Sequence, residues 1–298
     1  MAITIDIQTE KVMELEEYKE YIKKNVNISD MDSIVESAPA LKALGNNRRF
    51  MVDKLNQELE NWRNFQPSNR YTAQTMLFGG GSNFLVRANV WEPPSHIPEQ
   101  EEIEKKLFLY RVPHDHNFTF MTVGYLGSGY ETTIFEYERD SVVGMPGEKV
   151  PLRFLEKTSL PQGKIMLYRA CKDVHSQEHS KEFSISLNLL IQHETMHSTN
   201  QYFFDLDHKT IDSYVPTGGT SRVMLCSLAK HVGDGRTVEL LSSLLKSHMN
   251  DRVRVGALDS LCEMVPRDVE RFCSVALEDA HPSVRLVANE KLQTLEKN

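Results

Sequence analysis

The most regular apolar pattern in the chain lies at 183–192. Phe183, Ile185, Leu187, Leu189 and Ile191 alternate there with Ser184, Ser186, Asn188, Leu190 and Gln192. A period of two predicts a β-strand with one strongly apolar face. Shorter β-branched and aromatic runs at 84–91, 117–125, 130–138 and 164–170 predict further strands. Gly79-Gly80-Gly81, Pro93-Pro94, Gly127-Ser128-Gly129, Pro146-Gly147 and Pro161-Gln162-Gly163 punctuate them, as turns require. Many short strands at this spacing predict a sandwich, jelly roll or barrel over 66–212.

The flanking regions follow a different period. Before residue 65, Met51, Leu55, Leu59 and Trp62 recur at helical spacing, predicting an apolar stripe that serves packing or oligomerisation. Ser29 followed by Asp32 reads as a helix start, and Gly45 with Asn46 as a stop. After residue 213 the chain repeats itself. A shift of 31 residues superposes Arg236 on Arg267, Val253-Arg254 on Val284-Arg285, Ala257 on Ala288 and Leu261 on Leu292. Met224, Leu225, Leu228 and Val232 echo Ala257, Leu258, Leu261 and Val265 at a slightly different offset, as half a repeat. The repeated helix pair resembles a HEAT-type α-solenoid, which implies a small helical cap or a surface for a protein partner.

Charge and composition narrow the function classes. The formal net charge is −8, and Lys and Arg are scattered, which argues against nucleic acid as the main partner. No run of about 18 apolar residues offers a membrane span, and the acidic N-terminus does not read as a secretory signal. The four cysteines, Cys171, Cys226, Cys262 and Cys273, show no metal or disulfide spacing, so reduced thiols in a cytoplasmic setting are expected.

The chemistry concentrates on histidine. His114 and His116 are two apart at the start of a strand-like run, so both imidazoles share a face while Asp115 points away. Tyr110 has the same parity, although Pro113 interrupts a continuous strand. A glycine turn, Leu126-Gly127-Ser128-Gly129, follows, and then a second run from Tyr130 to Tyr137.

An HxH pair entering a glycine-turned hairpin resembles the first motif of the cupin superfamily. Gly127 stands at the family's glycine distance, but Phe120 or Met121 occupies the position of its glutamate. The closer resemblance is therefore to the three-histidine iron sites of the thiol dioxygenase branch. Glu131 or Glu136 would be the alternative carboxylates. The second cupin motif implies a third histidine, for which His175 is well placed. Ala170 and Lys172 replace that motif's Pro-x-Gly, and His179 replaces its asparagine.

The resemblance implies an α+β multi-domain chain. A cupin-type β-sandwich or barrel at 66–212 would be flanked by an N-terminal helical segment, 1–65, and a C-terminal α-helical repeat, 213–298. His114, His116 and His175 would hold Fe(II), with Zn, Mn, Ni or Cu as the other ions three imidazoles suit. The reaction would be an oxygenation of a small molecule by O₂. Tyr110, Arg111 and Tyr125 would orient the substrate, from a wider set that includes Arg87, Tyr168 and Arg169. A homodimer formed through the sheets is also expected.

Two readings from other classes stand beside it. One is a binding or sensor protein without turnover. The other is a zinc hydrolase using His193-Glu194-Thr195-Met196-His197, which matches HExxH but directly follows a period-two strand.

Overall fold

The computed structural model describes residues 3–297. The chain divides into two compact units whose limits differ from the three-part division expected from the sequence. One comprises the residues up to Glu138 together with Pro151–Glu194, the other Arg139–Val150 together with the chain from Thr195 onward.

The first unit opens with strand β1 (Ile3–Ile5) and helices α1 (Leu15–Asn25), α2 (Met31–Glu36), α3 (Ala38–Asn46) and α4 (Arg49–Glu60). Strands β2 (Thr75–Gly80) and β3 (Phe84–Trp91) precede helix α5 (Pro98–Phe108). Then come β4 (Phe120–Leu126), β5 (Glu131–Glu136), β6 (Arg153–Ser159), β7 (Ile165–Tyr168), β8 (Asp173–Gln177) and β9 (Ser184–Ile191). They form two antiparallel sheets, a six-stranded one in the order β1-β7-β4-β9-β3-β2 and a three-stranded one in the order β6-β5-β8. This arrangement is compatible with a cupin-type β-sandwich carrying helices.

The alternation along β9 has a structural meaning on both faces. Leu187, Leu189 and Ile191 join Met121, Val123, Ile165, Leu167, Val86 and Ala88 in one core with Tyr18, Ile22, Leu41 and Leu44 of the N-terminal helices. The opposite face, which the pattern marks as polar, is buried as well: Ser184, Ser186 and Asn188 are each at most 4% exposed. Helices cover the first face, and on the other Leu190 joins a second apolar cluster with Tyr130 and Ile134. Helix α3 packs against β4 through Gly45, where a Cβ would stand 3.2 Å from a Val123 methyl.

Two expectations are corrected. The glycine turn does not close a hairpin, because β4 and β5 belong to different sheets. Gly127 has φ +80°, and a Cβ there would meet the Phe183 carbonyl at 2.6 Å, so the turn serves as a crossing between sheets under close backbone approach. The stripe expected to serve packing or oligomerisation packs within the chain at Met51 alone: Leu55 and Leu59 of α4 and Trp62 just after it are 45%, 60% and 67% exposed. Only the start of the helix is anchored, by Phe50 edge-on to Phe78 and Tyr125.

The second unit holds a hairpin, β10 (Tyr202–Asp205) and β11 (Thr210–Tyr214), then α6 (Gly218–Val232), α7 (Gly235–Ser247), α8 (Asp251–Met264), α9 (Val269–Leu277) and α10 (Pro282–Glu296). The repeat of 31 residues recurs in its hydrogen bonds. Asn250 and His281 cap α8 and α10 through their side chains. The Arg254 guanidinium donates to the carbonyls of His248 and Met249, and that of Arg285 to those of Asp279 and Ala280. Val253, Ala257, Val284 and Ala288 fill equivalent buried positions. The half repeat does not extend this packing, since Met224, Leu225, Leu228 and Val232 on α6 are all more than half exposed.

The two arginines differ in one respect. Arg254 also forms a buried ion pair with Asp279, at 2.6 Å, whereas Arg285 has no carboxylate partner among the described residues. Removing one member of a buried pair strands the other charge. Arg254→Ala is therefore expected to destabilise this unit by about 3 kcal/mol, and Arg285→Ala by about 1 kcal/mol. Hydrogen exchange over α8 and α10 checks this, and equal effects would contradict it.

Candidate metal centre

Backbone geometry brings the three histidines together. His114 and His175 form a reciprocal antiparallel bridge, His114 N–H to His175 O at 3.0 Å and His175 N–H to His114 O at 2.9 Å. His175 lies on β8 opposite Ile134 of β5, so residue 114 extends the three-stranded sheet. The run from 114 to 125 is thus not one strand. It pairs with β8 at His114 and enters the six-stranded sheet only at Phe120. His116 follows two residues after His114, and its carbonyl accepts from Cys171 N–H at 2.6 Å. Asp115 points the other way and accepts from the Tyr137 hydroxyl at 2.8 Å.

The ring centroids of His114, His116 and His175 lie 4.6–5.0 Å apart, and one ring nitrogen from each falls within 4.8 Å of the others. Nε2 of His116 and Nε2 of His175 are 3.0 Å apart. Two nitrogens each about 2.1 Å from a shared ion at right angles would stand about 3 Å apart. The outward nitrogens are held from behind. His114 Nδ1 donates to the Val112 carbonyl at 2.8 Å, which leaves Nε2 as its lone-pair nitrogen. His175 Nδ1 meets the Gln177 side-chain amide at 3.2 Å. The amide nitrogen faces Nδ1 here; an ion held at Nε2 would need the proton on Nδ1 and the amide oxygen toward it.

The surroundings are apolar and aromatic. His114 and His175 are 5% and 1% exposed. Phe118 and Phe120 lie 4.7 and 5.2 Å from the His116 ring, and Tyr168 lies 4.7 Å from His175 and stacks on Phe120 at 4.6 Å. Burial holds the His114 imidazole below its ordinary value despite the Val112 carbonyl. Burial first, and then His114 and His116 beside it, push His175 well below. Neutral imidazole is the form that binds a metal.

The other sequence candidates are placed as follows. Phe120 occupies the position of the cupin glutamate and is a buried aromatic contact. Glu131 pairs with Lys157, and Glu136 with Arg153 and Arg169, so neither carboxylate is brought to the cluster. Tyr110 is bridged to Gln177 and stacks on His179 at 3.8 Å, one residue pair from His175. It lines a cavity of about 210 Å³ with Gln74, Glu92, Glu104 and Phe108. Arg111 is exposed and ion-paired with Glu178 at 2.7 Å. Tyr125 lies on the helix-facing side of β4, where its hydroxyl donates to the carbonyls of Asn47 and Arg48. Tyr110 thus contacts His179 and the strand that carries His175, while Arg111 and Tyr125 have their partners elsewhere. Sequence reasoning missed Gln177, which shares the strand parity of His175.

The HExxH match lies in a short 3₁₀ turn, Glu194–His197, and not on an α-helix. His193 and Glu194 are exposed, and the His197 side chain lies outside the described residues. A 3₁₀ turn does not align residues i and i+4, the alignment on which the zinc-hydrolase reading depends. Among the described residues, the three histidines are the one group of three or more His, Cys, Asp or Glu gathered closely enough to hold an ion.

No known protein family profile matches the chain, and no curated relative matches it either. Similar solved structures do exist. Salicylate 1,2-dioxygenase from Pseudaminobacter salicylatoxidans aligns over 49% of this chain and 34% of its own, at 9% identity and a TM-score of 0.26. Hydroquinone 1,2-dioxygenase from Sphingomonas sp. TTNP3 aligns over 42% and 69%, at 9% identity and 0.26. A cupin domain from Bordetella pertussis aligns over 42% and 98%, at 9% identity and 0.24. The chain spans only a third of the salicylate dioxygenase chain, and these scores are too low to place it in a family.

The depressed histidines make stability depend on pH with a definite sign. The unfolded chain takes up protons near pH 6.5, the ordinary histidine value, and folded His175 does not. Stability of the metal-free protein is then full above about pH 6.5 and falls as the pH drops through it, by up to about 1.4 kcal/mol per pH unit per histidine. Denaturant midpoints between pH 7.5 and 5.5 measure the slope. His175→Asn should flatten it, and an unchanged slope would show that the buried cluster is not its source.

Proposed function

We propose that the chain is a metal-dependent oxygenase of a small molecule, with His114, His116 and His175 holding Fe(II). The observation that carries this reading is the close meeting of three imidazoles, two of them buried and held below their ordinary basicity, with no carboxylate among them. An all-nitrogen neutral site leaves the ion its full charge. It suits Fe(II), while Zn, Mn, Ni and Cu are the rivals that metal analysis separates. Bound iron would supply the electrons for reaction with O₂. The protein's own work is to position and to exclude water. Val112 and Gln177 fix the outward nitrogens, and Phe118, Phe120 and Tyr168 keep the surroundings dry.

A non-catalytic sensor is the second reading, and the recurring helix pair supports it. A HEAT-like repeat would offer a protein partner a docking surface. Four free thiols fit the cytoplasmic setting expected from the sequence.

Metal analysis of untagged protein should find about one ion per chain, lost in His116→Ala. Oxygen uptake with Fe(II) and candidate substrates then separates an enzyme from a sensor. Metal that is absent in the parent, or retained in His116→Ala, would overturn the site. Gln177→Leu should leave the site intact but lower metal affinity roughly 10-fold or more, measured by chelator competition.

A further inference from the structure

A cavity of about 210 Å³ lies against helix α5, apart from the histidine cluster. Glu104 and Phe108 of α5 line it, with Tyr110 after the helix, Gln74 before β2, Glu92 after β3 and His179 after β8. His179 follows His175 by four residues, about 13 Å along an extended chain. The Val90 N–H donates to the Gln74 carbonyl at 2.8 Å, which fixes the sheet side of the cavity.

The walls are aromatic and the charges are of one sign. The Tyr110 and His179 rings stack at 3.8 Å, and Phe108 stands edge-on to Tyr110 at 6.1 Å. Glu92 and Glu104 contribute two carboxylates, and among the described residues no Lys or Arg lines the cavity. Lys105, next to Glu104 in α5, pairs with Glu101 and Glu102 instead. Glu104 is held by the Gln100 side-chain amide at 3.1 Å and by the Ser95 N–H at 3.4 Å.

The polar atoms of the wall are idle. Tyr110 is 3% exposed, yet its hydroxyl has no hydrogen-bond partner among the described residues. Gln74 Oε1 and both ring nitrogens of His179 are buried without a partner as well. Burial first, and then the Glu104 and Glu92 carboxylates, push the Tyr110 hydroxyl above its ordinary value, so both charges act on this wall. Buried polar groups are ordinarily hydrogen-bonded, and several idle acceptors at one cavity indicate a ligand that brings donors. Carboxylates without a cation give that ligand a positive charge, and stacked rings suit an organic cation. A primary ammonium ion carries three N–H donors, whereas a quaternary one carries none.

We propose that this cavity binds a small primary amine as its ammonium ion. Glu104 and Glu92 supply the opposite charge, Tyr110 and Gln74 accept N–H groups, and the Phe108 and Tyr110 rings cover the alkyl part. The site is separate from the metal centre and does not depend on the oxygenase reading.

Trp91 lies 6.2 Å from the Tyr110 ring, so its fluorescence reports on the cavity once Trp62→Phe removes the other indole. The full chain with that substitution is titrated with ethylamine, butylamine and benzylamine, against ethanol, butanol and benzyl alcohol at equal ionic strength. Calorimetry on the unsubstituted chain repeats the comparison without the probe. Saturable binding of at least one amine, and of none of the alcohols, is the expected result. Glu104→Gln should weaken that binding about 10-fold, and adding Glu92→Gln should weaken it further. Tyr110→Phe, which keeps the ring and removes the hydroxyl, should weaken it about 5-fold. No saturable binding of any amine by either method would overturn the proposal. So would equal binding of the matching alcohol, or unchanged affinity in a folded variant carrying both glutamine substitutions. Amine affinity should be the same with and without Fe(II), and a requirement for the ion would overturn the separation of the two sites.

Discussion

The pair of main-chain hydrogen bonds between His114 and His175 is the constraint on which the candidate site depends. Residues facing each other across such an antiparallel bridge project to the same side of the sheet. Neither imidazole has to find the other. Once the backbone pairs, His114 and His175 are neighbours, and His116 joins them from the same segment two residues on. The cost is the removal of two imidazoles from water, visible in the lowered basicity of His114 and His175. The Val112 carbonyl and the Gln177 amide offset part of it. A cation at the facing nitrogens would offset more, so metal binding and folding stability are coupled through the same atoms.

The six-stranded sheet separates two tasks by strand parity. Its outer face is closed by the N-terminal helices over Leu187, Leu189, Met121 and Val123, the larger of the unit's two apolar clusters. Its inner face carries Phe120 and Tyr168 beside the histidines and Arg87, Asn188 and Thr122 in the next row. An interior with unpartnered donors is a poor way to stabilise a sandwich. Two apolar clusters, one on each face, offset that cost.

Much of this was legible in the sequence, and the failures have physical causes. The HxH spacing and the strands at 84–91 and 184–191 could be read from period two, because alternation marks a face whichever partner covers it. Strand β8 could not, since Asp173, His175 and Gln177 are buried by polar partners, and hydropathy sees only apolar burial. Its absence from the reading concealed Gln177. Helix α5 was overlooked inside a region read as β, although Pro98 at its start, Glu99 and Glu101 in the first turn and Lys105 and Lys106 in the last are ordinary helix signals. The exposed stripe of α4 shows the converse error. A helical period demonstrates that one face is apolar, and it does not demonstrate that anything covers that face.

The C-terminal repeat sharpens the same point. Two sets of apolar positions recur in the sequence, at a shift of 31 residues and at a looser offset into α6, and only the first packs equivalently. What distinguishes them is polar. Asn250 and His281 cap their helices, and Arg254 and Arg285 donate back to the carbonyls just before those caps. These contacts fix where each helix starts and how the preceding turn enters it, and the valines and alanines then fall into matching places. Helix α6 starts with a different device, a Thr217 capping box, and packs through Val223, Cys226 and Ala229, while Met224, Leu225, Leu228 and Val232 face outward. Recurrence of the turn chemistry, more than recurrence of the apolar letters, is what makes two segments of this chain the same structure.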